Sequence, residues 1–130
     1  MGAWLEELYS REGWGVEVLV PVPLSKHRAQ KRGFNQAALL ADALSSRIDI
    51  PVDSSSLLRI EDIRSQVGLD PHERWKNVEH VFKAKSQSLK DMDVLIIDDL
   101  FTTGATLSAC AIAIQASGAR SVSGLTVARA

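Results

Sequence analysis

Asp98 and Asp99 are adjacent acids that end the apolar run VLIIDD (94–99), and Thr102, Thr103, Gly104, Ala105 and Thr106 follow almost at once. Ionised carboxylates only accept hydrogen bonds. They suit ligand donors such as the hydroxyls of a sugar or the waters on Mg²⁺. The segment after them suits an anion. Backbone N–H groups at a helix N-terminus have no intrahelical partner, and the helix dipole favours negative charge there. Gly104 lets the backbone approach an oxygen closely, and threonine hydroxyls add donors. Acids beside an anion cradle conflict only if both meet the same ligand group. A ligand with a phosphate at one end and a vicinal diol beside it removes the conflict, and that is the chemistry of a ribose 5-phosphate.

Such residues need a strand that ends at the acids and a helix that begins after the loop. DVLIID (93–98) is apolar without alternation, which predicts a strand of a parallel sheet covered on both faces. Thr106 to Ser117 is predicted helical, with Gly118 as its C′ residue. In open α/β sheets, ligands bind beyond the carboxyl ends of the strands, where Asp98 and Asp99 would stand.

Other elements complete the layers. VEVLVPVPL (16–24) predicts a strand that Pro21 stops. A helix is expected from Asn35, which can cap it, with Ala37, Leu40, Ala41 and Leu44 as its apolar stripe. Residues 3–11 place Trp4, Leu5, Leu8 and Tyr9 on one helical face. Pro51 and Ser54 to Ser56 mark a turn. Residues 57–63 read as a weak strand or short helix, 64–82 as a loop leading into a short helix or strand, and 121–129 as a final strand. Strands alternating with helices predict an α/β fold: a mostly parallel sheet flanked by helices, in one domain spanning 1–130.

An acid pair alone is usually solvated, and a threonine-glycine loop alone is usually a cap. Here the apolar run, both acids, the loop and the helix stand in the order a phosphate site requires. A nucleotide-hydrolase strand also ends in acids, but it needs a G-x-x-x-x-G-K-[ST] loop, which this sequence does not contain. KHRAQKR (26–32) adds Lys26, Arg28, Lys31 and Arg32 after a strand end. Arginine there can pair with phosphate oxygens in a bidentate way. The same cations can instead touch a nucleic acid backbone or remain a solvated loop. In 65–78 the polar candidates are Gln66, Arg74, Lys76 and Asn77, and Trp75 reads as a hydrophobic anchor.

Composition bounds the rest. With 130 residues the chain can bury a core without staples, and its net charge of −1 implies no global pull toward nucleic acid or membrane. Cys110 is the single cysteine, so neither an intrachain disulfide nor a paired-cysteine metal site is expected. His27, His72 and His80 are not spaced as metal ligands. No apolar run approaches a membrane span. MGAWLEELYS lacks a secretory signal's basic flank and apolar core, and Glu6 stands where a myristoylation motif wants Ser or Thr. A cytoplasmic location is expected.

VLIIDDLFTTGAT (94–106) resembles the phosphoribosyl-pyrophosphate (PRPP) signature of the type I phosphoribosyltransferases. More narrowly, PVPLSKHRAQKRGFNQAALLADAL (21–44), SQVGLDPHERWKNV (65–78) and the closing strand ending in AR (128–129) resemble the ComF family of phosphoribosyltransferase-like proteins, linked to bacterial competence and DNA uptake. The resemblance implies that Asp98 and Asp99 hold the ribose hydroxyls and that Thr102, Thr103, Gly104, Ala105 and Thr106 hold the 5-phosphate. It implies that Leu24, Ser25, Lys26 and Arg28 face the pyrophosphate. The 65–78 segment would close over the site, with Arg74 beside the departing pyrophosphate. Asp98, Asp99 and Arg74 would be the catalytic residues. Mg²⁺ would arrive with PRPP, reached by Asp98 and Asp99 through water, with no direct protein ligand assigned.

Two functions follow from this resemblance. One is transfer of the phosphoribosyl group to an unidentified nitrogen acceptor. The other is a non-catalytic module in competence or DNA uptake that binds single-stranded DNA or a helicase partner. The expected partners are a small phosphoribosyl ligand, single-stranded DNA or a competence helicase, and a second copy of the chain in a homodimer, with no membrane. One departure stands out. The family usually carries an N-terminal four-cysteine zinc segment, which this sequence lacks, so zinc binding is not carried over.

Overall fold

A computed structural model describes residues 15–24, 35–59, 81–99 and 104–126. In chain order these form β1 (Val18–Pro21), α1 (Gln36–Ile48), β2 (Leu57–Arg59), β3 (Phe82–Ala84), β4 (Asp93–Asp98), α2 (Ala105–Ala116) and β5 (Ser121–Thr126). The helix expected over 3–11, the basic run through Arg32, the 65–78 segment, Thr102, Thr103 and the end of the last strand lie outside the described residues.

β4 is the centre of a three-stranded sheet with the order β1-β4-β5. Both neighbours run parallel to it. Val18 faces Val94 and Pro21 faces Ile97, while Asp93 faces Ser121 and Asp98 faces Thr126. The three carboxyl ends therefore share one edge.

The unbroken apolar run of β4 follows from cover on both faces. Leu95 and Ile97 join Leu19 and Leu125 in packing against Leu40, Ala41 and Leu44 of α1. Val94 and Ile96 join Val18 and Val20 against Ala109, Cys110 and Ile114 of α2, with Leu57, Phe82 and Ala84 on the same side. Burying each such Val, Leu or Ile side chain contributes about 1.5–3 kcal/mol.

α1 begins where Asn35 ends the preceding chain. Asn35 is extended (φ −102°, ψ 111°), and its side-chain oxygen accepts from the N–H groups of Ala37 (2.9 Å) and Ala38 (3.3 Å). The expected stripe of Ala37, Leu40, Ala41 and Leu44 is its buried face. The helix stops at Asp49, whose left-handed backbone (φ 58°) turns its N–H back onto the carbonyl of Ser45. α2 starts one residue before the expected Thr106 and is followed by Gly118 at φ 104°, the left-handed position expected for a C′ glycine.

β1 ends at Pro21, as expected. Val22, just beyond it, still donates to the carbonyl of Ile97 (2.9 Å). Proline is tolerated as the last strand residue because of the side each N–H faces. Leu19 donates to Pro51 on the side away from β4, and alternation puts the missing N–H of Pro21 on that same side, where no ladder needs it. What differs from expectation is a separate antiparallel pair, β2 with β3, in which Leu57 faces Ala84 and Arg59 faces Phe82. The alternation of strands and helices predicts only the parallel sheet. Three-residue strands are too short to print a period in the sequence. Among the described residues, no helix is long and apolar enough to cross a membrane.

Candidate functional site

Asp98 is the last residue of β4, and Asp99 follows it out of the sheet; both are half-buried. The Oδ1 of Asp98 accepts the N–H of Asp99 (2.8 Å), a local turn that orients the first carboxylate as the strand ends. Asp98 also stands directly opposite Thr126 at the end of β5. The two acids thus occupy the carboxyl edge of the sheet, as expected.

Gly104 opens α2 in the left-handed region (φ 82°, ψ −3°), and its carbonyl accepts from Ser108 (2.9 Å). No side chain caps this end, and the first turn carries no acid. A side chain at φ 82° would strain the backbone. Glycine here therefore allows the sharp entry that aims the first turn of α2. Gly104 is half-buried, whereas Ala105 and Thr106 are exposed.

The third component lies at the end of β1. Val22 is fixed by Ile97 on β4, and the carbonyl of Val22 accepts from the side-chain amide of Asn35 (3.1 Å). Asn35 therefore caps α1 with its oxygen and holds β1 with its nitrogen. Pro23 and Leu24 continue from this point and are half-buried. Leu24 accordingly shares the carboxyl edge with Asp98, Asp99 and Gly104. Thr102, Thr103, Ser25, Lys26, Arg28 and Arg74 lie outside the described residues.

Arg59 was not among the residues singled out from the sequence. It ends β2, its guanidinium sits 4.9 Å from the centroid of the Phe82 ring, and its Nε–H points at the carbonyl of Pro23 (3.5 Å). The sequence signal was a single arginine inside LLRIEDI, with no motif around it. Cys110, beneath this edge, is fully buried. Burial pushes its thiol up to about 12, the Asp98 carboxylate adds to that rise, and Arg59 opposes it. The carboxylate and the guanidinium thus act on the same buried sulfur.

Among the described residues, two surface hollows lie elsewhere. One of about 400 Å³ runs between α2 and β3, past Phe82 and Ile112. The other, of about 320 Å³, lies between α2 and β5, beside Leu107 and Gly124. Neither includes the two acids.

For Mg²⁺, the donor set fits in kind. Hard divalent cations take oxygen ligands and keep several waters, and two adjacent carboxylates offer acceptors to those waters. Among the described residues, no cluster of three or more acids, histidines or cysteines could hold a metal by itself.

No family model matches the chain. Individual proteins do. The competence protein ComFC of Bacillus subtilis is 42% identical over 113 residues, covering 86% of this chain and 44% of that protein. The chain belongs to the ComF family. The DNA utilization protein YhgH of Escherichia coli is 31% identical over 121 residues, covering 91% of this chain and 53% of that protein. The chain spans about half the length of the ComF relatives it matches. Among solved structures, a purine phosphoribosyltransferase from Pyrococcus horikoshii matches with a TM-score of 0.60 at 20% identity, covering 98% of this chain and 69% of that one. That likeness shows the fold.

Proposed function

We propose that this chain is a ribose-phosphate-binding module that acts in the uptake or use of DNA. The observation that carries the proposal is the contrast in similarity. The chain is 42% and 31% identical to proteins named for competence and DNA utilization, and 20% identical to a purine phosphoribosyltransferase. The fold supports the pocket, and the relatives support its use.

In this reading the acids at the end of β4 accept the ribose hydroxyls, and the turn into α2 receives the 5-phosphate. Lys26 and Arg28, with Lys31 and Arg32, supply cations for a diphosphate or for the backbone of single-stranded DNA, and Ser25 adds a hydroxyl donor. Mg²⁺, bound with PRPP, would neutralise diphosphate charge. A helicase is the alternative partner for the same role.

The test is binding of labelled single-stranded DNA across a salt series. Wild type is expected to bind at low salt, with log affinity falling by about 0.7 per phosphate neutralised for each unit of log salt. Replacing Lys26, Arg28, Lys31 and Arg32 with Ala should weaken binding and flatten that slope. A wild type that binds no DNA at low salt would count against direct DNA recognition.

A second reading is favoured by one local observation, the pairing of two half-buried acids with a left-handed glycine at the helix start. It is phosphoribosyl transfer. Pyrophosphate would leave the anomeric carbon of PRPP, and a nitrogen acceptor would bond to that carbon. Asp98 and Asp99 would stabilise positive charge developing on the ring, and Arg74 would stabilise the leaving group. Pyrophosphate release in the presence of PRPP and a panel of bases and amines tests it. Binding of PRPP with no release across the panel leaves the module without this chemistry.

A further inference from the structure

Arg59 lies outside every motif that identifies the family resemblance, yet it touches the site from an unexpected direction. β2 belongs to the antiparallel pair, not to the sheet whose edge carries the acids. From there Arg59 reaches a residue far away in sequence, the carbonyl of Pro23, where the chain leaves β1. At 3.5 Å this is a long hydrogen bond, weak as a neutral contact and strengthened by the charge of the donor. The guanidinium is also held over the Phe82 ring at 4.9 Å, within the range of a cation–π contact. Phe82 lies directly across from Arg59 in the β2–β3 register, and its ring is itself buried in the core. The arginine is therefore fixed from behind by the core and directed forward onto the β1 exit.

That exit is anchored residue by residue. Val22 N–H is held by Ile97, Val22 carbonyl by Asn35, and Pro23 carbonyl by Arg59. Proline cannot donate a hydrogen bond, so its carbonyl is the only backbone group through which Pro23 can be held. Leu24 comes next and opens the segment that faces the diphosphate in the proposed function. The influence of Arg59 on the buried Cys110 thiol, opposite in sign to that of Asp98, is consistent with a cation placed near this edge.

We infer that Arg59 is a positioning residue: it fixes the Pro23–Leu24 exit of β1 and so sets the diphosphate side of the site, leaving the ribose 5-phosphate side alone. The ligand half of this inference rests on the proposed PRPP pocket. The positioning half does not.

Two measurements on the full chain separate them. Amide exchange at Val22 and Leu24 is read without ligand in wild type, Arg59→Met and Arg59→Lys. Arg59→Met is expected to speed exchange there while leaving Ser108 unchanged, and Arg59→Lys, which keeps the cation over Phe82, is expected to fall between. Unchanged exchange at Val22 and Leu24 would overturn the positioning role. Calorimetry then compares PRPP with ribose 5-phosphate, both with Mg²⁺. Arg59→Met is expected to weaken PRPP by about tenfold and ribose 5-phosphate by less than about twofold. Equal loss for both ligands, or none for PRPP, would overturn the assignment to the diphosphate side. A wild type that binds neither ligand would instead overturn the pocket itself.

Discussion

Asp93 stands at the amino edge of β4, the opposite end from Asp98. It accepts from Arg120 Nη2 (2.6 Å) and Nε (3.0 Å) and from the Ser121 hydroxyl (2.7 Å), while Glu17 also takes a bond from Arg120 (2.9 Å). Led by the Arg120 hydrogen bonds, these contacts hold its carboxyl at about 2, against an ordinary 3.8. A depressed carboxyl contributes stability that is present above the unfolded value and lost as pH falls through the folded one. Wild type and Asp93→Asn should therefore differ in urea midpoint above about pH 4 and converge toward about pH 2. The pair is exposed, so the gap should be small. A gap that stays constant down to about pH 2 would contradict the assignment. Cys110 makes the opposite case, a group removed from solvent. With its thiol pushed up to about 12 and no exposed surface, it should resist alkylation at neutral pH and react once urea unfolds the chain. Rapid labelling of the native protein would contradict its place in the core. The sequence already marked Asp98, Asp99 and Gly104 because their types and order carry chemistry. It could not mark Arg59, whose role comes from Phe82 and Pro23, residues brought to it by pairing and packing.

At the scale of elements, the two helices enter by different devices. α1 is capped by a side chain, so Asn35→Ala should cost about 1–2 kcal/mol in urea denaturation. It also removes the only side-chain donor to Val22 among the described residues, which should place the loss at the upper end. α2 is entered through a left-handed glycine with no side-chain cap. Gly104→Ala should cost about 1 kcal/mol or more in the ligand-free chain, because φ 82° disfavours a Cβ. A stability change near zero would mean that the entry to α2 readily takes another conformation. The stripe of α1 was legible because thirteen residues give several turns of a 3.6-residue period. The apolar run of β4 was legible because both faces are covered. β2 was legible only as a weak strand or short helix, and its pairing with β3 was not, since three residues on each strand carry no period and the pairing joins distant parts of the chain. The end of β1 was legible because proline has no N–H with which to continue a ladder.

For the whole molecule, the layers explain why one edge gathers the candidate site. Parallel pairing brings the ends of β1, β4 and β5 together, and α2 begins just after β4, so Leu24, Asp98, Asp99 and Gly104 converge without any one element carrying them all. The fold is that of phosphoribosyltransferases, whereas the similarity in sequence runs to competence and DNA utilization proteins. Both the binding module and the transferase require this edge to hold ribose phosphate, and they part only over what happens next. The most direct test is therefore calorimetric titration of the chain with PRPP and Mg²⁺, repeated with the Asp98→Asn, Asp99→Asn double variant. The account predicts one saturable site in wild type and none detectable in the variant. No binding by wild type, or equal binding by both, would contradict it.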